Sequence, residues 1–416
     1  MGGMIEPTSA LGQLAKEFSE LPDPRCQRRP QHLLGDILLI GLCNFLTGGR
    51  TFQDMADYAA DHEEWLRTFL ELPGGPPSHD TFNRVFAALD SHAFEQALRQ
   101  WARGSHPPQW DMSIPEHPAL RHLACDGKRL RGSRRPLEGE NGAGSVSSGN
   151  VQMAQVINVW AVEQGLSVAQ RRIPPQGGEI EQMPLLLRHL ELKNSVVTAD
   201  AAHAQTDTVS QIVAQGGEYV VCAKANQPTT HAALKEALDG LAAREEPHHQ
   251  SVEKGHGRLE TRRVWASTQV QDLPVRGLWK GLGSIGLVEL IREDLGTGKA
   301  STERRYFLSS LGAEATPGAT AQRLGRLVRE HWAVENSLHW RLDMHWGEDA
   351  CRARSGNAAT NLSGLRKIAM NLLKTYPPPK SKGPVSMRRR MLRASINPNY
   401  LALLLLPITS PDLLPR

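Results

Sequence analysis

HLACD (122–126), MAQVINVWAV (153–162) and LSVAQRRI (166–173), then EIEQMPLLLRHLEL (179–192) and SVVTAD (195–200), form the stretch from which the architecture reads. The first three segments alternate or run apolar and are separated by short polar turns such as EQG, so they predict a meander of three strands. EIEQMPLLLRHLEL carries helical spacing instead, and SVVTAD returns to a strand. Three strands followed by alternating helix and strand describe a mixed α/β sheet rather than a strictly parallel one. Asp126 and Asp200 each close one of these strands, just before a turn. Ligands of open α/β sheets bind outside the carboxyl ends of strands, so two acids there converge if their strands are neighbours. Taken singly, an aspartate in this position is as readily a turn or helix cap.

Downstream, the pattern runs through a helix over 206–215 and the strand GEYVVCAKAN (217–226). From about 248 to 311 it is β-rich, with HHQSVEKGHGRLETRRVWAS, SIGLVELIRE and RRYFLSSL as strands and GTGK as a hairpin turn. This β segment reads as an insertion between the second acidic strand and a final helix. That helix carries an anomaly. At about 3.6 residues per turn, residues 324–342 place Leu324, Leu327, Val328, Val334, Leu338 and Leu342 on one face, with Glu335 among them. His331 and His339 stand one turn to either side. A buried, unpaired carboxylate costs several kcal/mol, so Glu335 is expected to be paired, protonated or bound to a cation.

Upstream, amphipathic runs at 31–46, 51–71 and 80–101 predict a small helical module, the last run opened by Ser78 and Asp80 as capping residues. Such a bundle suits presentation of a helix to DNA and ordinary packing or dimerisation equally. Two proline-rich stretches, GSHPPQWDMSIPEHP (104–118) and TYPPPKSKGP (375–384), divide the chain. The expected division is a helical N-terminal domain over 1–110, a catalytic domain over 119–375 and a basic C-terminal tail over 376–416.

Composition narrows the class. The 416 residues are 40% hydrophobic and 22% charged, as in a soluble globular protein. Asp36 interrupts the apolar run from Leu33 to Leu46, and the run from Tyr400 to Ile408 is too short to span a bilayer. The first residues lack the basic start and apolar segment of a signal peptide. Five scattered cysteines without a CxxC pair indicate neither a zinc cage nor a disulfide framework, which fits a reducing cytoplasm. The net charge of +4 is unevenly spread: residues 121–135 hold six Lys or Arg against one acid, and residues 380–393 hold six against none. Such patches suit a polyanion, with solvated surface loops as the plainer account.

Three carboxylates meeting at one point repel one another, and Mg²⁺ or Mn²⁺ resolves that repulsion with oxygen ligands. A site of this kind performs phosphoryl transfer. At these residues the chain resembles a known family. DGKRLRGS (126–133), TADAAHAQ (198–205), KANQP (224–228), KGHGRLETRR (254–263), YFLSSL (306–311) and HWAVENSLHWRLDMHWGEDACRAR (331–354) are together similar to the insertion-sequence DDE transposases of the H-repeat-associated type. DPRCQRRPQHLLGDILLIGLCNFLTGGRTFQDMADYA resembles that family's N-terminal associated domain. The resemblance implies a ribonuclease H-like core with a β-strand insertion, cutting and joining double-stranded DNA at element ends with Mg²⁺ or Mn²⁺. It further implies a homo-oligomer in the active complex and a cytoplasmic, nucleoid-associated protein. Matched residue by residue, the catalytic and metal-binding triad falls on Asp126, Asp200 and Glu335.

Related transposases often carry an Arg four residues before the catalytic Glu and a Lys seven after; here those positions are His331 and Leu342. Arg341, Arg329 and the basic loop after Asp126 are the available substitutes. Expected DNA contacts are Lys128, Arg129 and Arg131 beside Asp126, His203 and Gln205 after Asp200, and Lys224, Asn226 and Gln227 at the next strand end. His256, Arg258 and Arg341 complete the set. His331 and His339 are expected to orient Glu335 by hydrogen bonding rather than to ligate zinc, because the HExxH spacing is missing. Trp332 and Trp340 are expected in the core, with stacking on an unpaired base as the alternative, and Asp343, Glu348 and Asp349 in solvent, Glu348 or Asp349 being the next candidate acid should Glu335 not serve. Two rival readings share the scaffold: a nuclease that hydrolyses without joining, and a domesticated, catalytically silent DNA-binding protein.

Overall fold

The apolar run near the start forms helix α1 (Leu34–Thr47) in the computed structural model, which describes residues 18, 20–25, 30–104, 120–136, 151–255, 257–376, 378 and 383–405. Every residue from Asp36 to Leu46 is buried, as a helix apolar on all sides requires. It stops at Gly48, whose φ of 102° lets its N–H return to the last turn. Thr51 and Asp54 then make a reciprocal capping box that opens α2 (Phe52–Asp61), followed by a single turn, α3 (Glu63–Leu66). Ser78 caps α4 (His79–Ala88) as expected. The run expected over 80–101 is divided, because Asp90 accepts a hydrogen bond from the Ala93 N–H at 2.7 Å and starts a new helix, α5 (Ser91–Gly104).

The predicted meander is present as β1 (Arg121–Arg129), β4 (Gln155–Ala161) and β5 (Leu166–Ile173), with a small ribbon of β2 (Arg135–Pro136) and β3 (Val151–Gln152) between. Helix α6 (Glu179–Leu187) leads to β6 (Ser195–Ala199), α7 (Thr206–Ala214) to β7 (Glu218–Ala223), and α8 (Pro228–Ala242) to the β-rich segment. That segment supplies β8 (His249–Gly255), β9 (Arg258–Ser267), β10 (Ser284–Asp294) and β11 (Ala300–Ser309). All but the ribbon join one sheet in the order β5-β4-β1-β6-β7-β11-β10-β9-β8. β1, β6 and β7 are parallel; the other pairings are antiparallel. The fold is therefore a mixed α/β, ribonuclease H-like sheet preceded by helices. The β insertion continues that sheet, because β11 pairs directly with β7 through Tyr306↔Ala223 to Ser309↔Val220.

Helices α6, α7 and α8 cover one face of the sheet over Cys125, Val159, Val197 and Val221. On the other face lie α9 (Pro317–His331), a π-helical turn (Val334–His339) and α10 (Trp340–Trp346). The long α11 (Ala358–Thr375) is buried from Ala358 to Leu373. Its Asn371 side chain exchanges two hydrogen bonds with the Ser167 backbone, closing the free edge of β5. Residues expected in a basic tail instead fold as α12 (Met387–Ile396) and α13 (Pro398–Leu405), whose Met391, Tyr400 and Leu404 are apolar anchors the charge count concealed. One apolar core joins α1, α4, α10, α11, α12 and α13, so the N-terminal module, the last catalytic helix and the C-terminal helices share an interior.

Candidate active site

Parallel pairing of β1 with β6 runs from Arg121↔Ser195 to Cys125↔Ala199. The next residues, Asp126 and Asp200, therefore stand side by side at about the 4.8 Å strand spacing, Asp200 just past the end of β6 and Asp126 within β1, which runs on to Arg129 rather than closing at the acid as expected. Alternation puts both on the face that carries Ala124 and Thr198, toward α9 and α10. β6 stops at Ala199, whereas β1 continues against β4 alone to Arg129, so the sheet opens beside Asp126. A cleft of about 830 Å³ forms there, lined by Asp126, Arg129, Arg131, Glu335, His339 and Glu179 among others. Asp200 is not among the residues lining this cleft; its side chain is 57% exposed.

Glu335 belongs to this cleft and is exposed, contrary to its expected burial in the apolar stripe. The π-helical turn accounts for the difference: its wider winding changes the phase of the helix, so Val334, Leu338 and Leu342 stay in the core while Glu335 turns outward. Burial pushes the Asp126 carboxyl up to about 8, and the charges of Asp200, Glu335 and Glu179 push it the same way. An oxygen-only set of mutually repelling carboxylates has the donor chemistry of a hard divalent cation site. Among the described residues no three His, Cys, Asp or Glu side chains form a cluster that could hold a metal as they stand.

The two histidines serve the aspartates rather than Glu335, correcting the sequence expectation. His331 Nε2 lies 3.5 Å from Asp200 Oδ1, and its Nδ1 lies 2.9 Å from the Thr198 hydroxyl, which in turn meets buried His122 Nε2 at 2.7 Å. His122 Nδ1 lies 3.5 Å from Glu330 Oε2, so polar contacts run from Glu330 through His122, Thr198 and His331 and end in the contact between His331 and Asp200. That interaction holds the Asp200 carboxyl below the usual carboxylate range. His339 accepts at Nε2 from the Asn158 amide at 3.0 Å, which leaves Nδ1–H facing Asp126 Oδ2 at 3.6 Å. Burial, helped by the Lys128 charge, pushes His339 down to about 3 and keeps it neutral.

Several expected DNA contacts are engaged in the fold. Lys128 is buried, with Nζ 2.7 Å from Asp343 Oδ2 and 3.6 Å from both Glu348 and Asp349. Its ammonium lies among three acids, of which Glu348 is buried and Asp343 and Asp349 are only partly exposed rather than solvated as expected, so the Lys128 charge is directed into the fold at the cleft wall. His203 is buried and bonded to Glu179 at 2.9 Å. Asn226 and Gln227 direct their amides to the Ala201 and Ala204 carbonyls, and Gln227 also bonds Gln205, so these three tie together the loops after β6 and β7. Arg341 lies half-buried near Arg390, on the helical side of α10. Leu342, at the position where relatives carry Lys, is a fully buried core residue.

Arg129 and Arg131 are exposed in the cleft, Lys224 is exposed near enough to Asp200 to help hold its carboxyl low, and Arg258 is exposed at the start of β9. His256 lies outside the described residues. Arg329 is paired with Glu253 at 3.2 Å. Trp340 is 55% exposed and Trp332 half-buried under the Arg305 guanidinium, so Trp346 is the tryptophan of this helix that enters the core. Sequence reasoning missed Arg134, Glu179 and Asn158. Arg134 was signalled by the basic run, whereas nothing local marks a glutamate in the first turn of a helix or an asparagine within an apolar strand.

Two family profiles match the chain: one described as DDE_Tnp_1-associated over residues 15–102, and one described as Transposase DDE domain over residues 117–372. YhhI of Escherichia coli (strain K12), named a candidate H repeat-associated transposase, is 31% identical over 398 residues, covering 94% of this chain and 97% of that protein. YbfQ of the same strain, named an inactive transposase, is 33% identical over 75 residues, 18% of this chain and 89% of its own. Among solved structures, a piggyBac transposase synaptic complex with hairpin DNA aligns at a TM-score of 0.39 and 12% identity, over 97% of this chain and 81% of that one, too distant a likeness to bear on the mechanism. Matches that span both the helical module and the sheet carry the conclusion that the chain belongs to the DDE transposase family, in the H repeat-associated group.

Proposed function

We propose that this chain cleaves DNA at insertion-sequence ends and joins the freed strand to target DNA, with Asp126, Asp200 and Glu335 holding Mg²⁺ or Mn²⁺. The observation that carries the reading is the pairing of β1 with β6, which sets Asp126 beside Asp200 at the sheet opening that Glu335 faces. A divalent cation held there would supply activation of the attacking hydroxyl and neutralisation of charge on the leaving oxygen. His331 orients the Asp200 carboxylate, and His339 with Asn158 restrains Asp126. Arg129, Arg131 and Arg134 bind backbone phosphates along the cleft wall, with Lys224 near Asp200. The partner is double-stranded DNA carrying the element's terminal repeats, engaged by a homo-oligomer in the nucleoid. No helix of the described residues is long and apolar enough to cross a membrane.

The test is incubation of the full chain with end-bearing DNA and Mg²⁺ or Mn²⁺. Wild type is expected to nick the element end and transfer the 3′-hydroxyl to target DNA. Asp126→Asn, Asp200→Asn and Glu335→Gln are each expected to lose both steps while still binding DNA. Cleavage without joining would give the nuclease reading instead, and binding without either step the silent one.

A further inference from the structure

Three acids line the cleft besides Asp126 and Glu335: Asp343 and Asp349, which face Lys128, and Glu179. Glu179 opens α6 on the face of the sheet opposite Glu335, yet its carboxylate reaches round the open edge of β1 into the same cleft as Asp126 and Glu335. The carboxylate stands where a side chain on residue 127 would be; Gly127 leaves that space free. Its Oε1 lies 2.9 Å from Nε2 of His203, an imidazole only 1% exposed, so one carboxylate oxygen is fixed and the other is free to face the cleft. An acid in the first turn of a helix ordinarily serves the helix dipole or a cap. In α6 that work falls to Glu181, whose carboxylate accepts from the Gly178 N–H at 3.4 Å, while Glu179's described hydrogen bond goes to His203. Glu179 also adds its charge to those already opposing ionisation of Asp126. Such a placement is unfavourable for the protein alone and becomes favourable when a cation is shared.

We propose that Glu179 is a fourth carboxylate ligand of the divalent-cation site, and that His203 is the positioning residue that aims it. This rests on the metal-dependent reading above. It makes the site a four-acid centre drawing ligands from both faces of the sheet.

Titration calorimetry of the DNA-free full chain with Mn²⁺ tests it. Wild type is expected to bind, Asp126→Asn to lose binding, and Glu179→Gln to bind at least about tenfold more weakly with its metal-free melting temperature retained. Removing an outer hydrogen-bond partner of a metal ligand typically costs about 10- to 100-fold in affinity, so His203→Leu should fall in that range and His203→Gln, which keeps a donor, should recover part of the loss. Gly127→Ala, which displaces the Glu179 carboxylate without changing its charge, should weaken binding as well. Glu179→Gln binding Mn²⁺ within about twofold of wild type, while Asp126→Asn does not bind, overturns this inference and leaves the triad intact. A wild type that binds no Mn²⁺, with or without end-bearing DNA, overturns the metal-dependent reading and this inference together.

Discussion

Asp126 is the residue at which the cost of the site is concentrated. Its ordinary value of 3.8 rises to about 8 in the fold, first through burial and then through Asp200, Glu335 and Glu179. Below about pH 4 both folded and unfolded chains keep this proton. Between about 4 and 8 the unfolded chain has released it and the folded chain retains it, so the native state binds more protons. Stability of the metal-free protein should therefore fall as pH rises through that window, by up to about 1.4 kcal/mol per pH unit for this site. Asp200 runs the other way: its value is lowered, so its contribution is present at neutral pH and lost only as acid reaches the carboxylate range. Urea melts in chelator from pH 4.5 to 8 should show the decline in wild type and a flatter profile in Asp126→Asn; equal slopes would remove the repulsive cluster from the account. Glu335, exposed and free of the core, should behave differently from Asp126. Glu335→Gln is expected to leave the metal-free melting temperature within about 1 °C, as a surface change does, while abolishing cleavage.

At the scale of elements, the end of β1 divides into an inner and an outer cation set. Lys128 points inward to Asp343, Glu348 and Asp349, so Lys128→Ala removes its hydrogen bond to Asp343 and one of the cations around buried Glu348, and should destabilise the fold by about 1 to 3 kcal/mol. Arg129, Arg131 and Arg134 are exposed, Arg131 also reaching Asp349 at 3.4 Å, and their replacement by Ala should flatten the dependence of DNA affinity on salt by about 0.9 in log–log slope for each phosphate that is no longer neutralised. Chemical denaturation and salt titration thus separate residues that one basic run presents as equivalent. The strands were legible because alternation and β-branched residues are local signals: LSVAQRRI matches β5 residue for residue. Asp126 and Asp200 were legible as neighbours because each follows a short apolar run, and those runs pair in parallel, although β1 itself continues past Asp126. The environment of Glu335 was not, since a π-helical turn breaks the assumed winding without changing composition. Nor was the engagement of Lys128 and His203, whose partners lie 215 and 24 residues away. The partners of His331 and His339 likewise come from strands that only the tertiary fold brings near.

Across the whole molecule, the segments that the proline-rich stretches separate share one apolar core. α11 presents no free face: one side meets α1, where Gly41 lets Leu365, Phe86 and Met55 approach closely, and the other meets β5 and Trp160. Polar side chains buried with it have cross-domain partners as well. Asn361 donates to the carbonyls of Phe86 and Leu89, and Gln170 on β5 donates to Glu95 of α5, whose carboxyl burial pushes up to about 7. A fragment of residues 119–375 would expose the apolar side of α11 together with these unsatisfied groups, each of which costs about 1 to 3 kcal/mol when left unpaired. Such losses compare with the total stability of a domain, about 5 to 15 kcal/mol. The fragment should therefore not fold alone: it is expected to be insoluble or to melt without a cooperative transition, whereas adding the N-terminal module, as residues 15–104 supplied on a separate chain, should restore a cooperative melt. A soluble 119–375 fragment that unfolds cooperatively at the temperature of the full chain would mean that the shared core is an interface between independent domains. The helical module would then be free to act as a detachable DNA-binding unit.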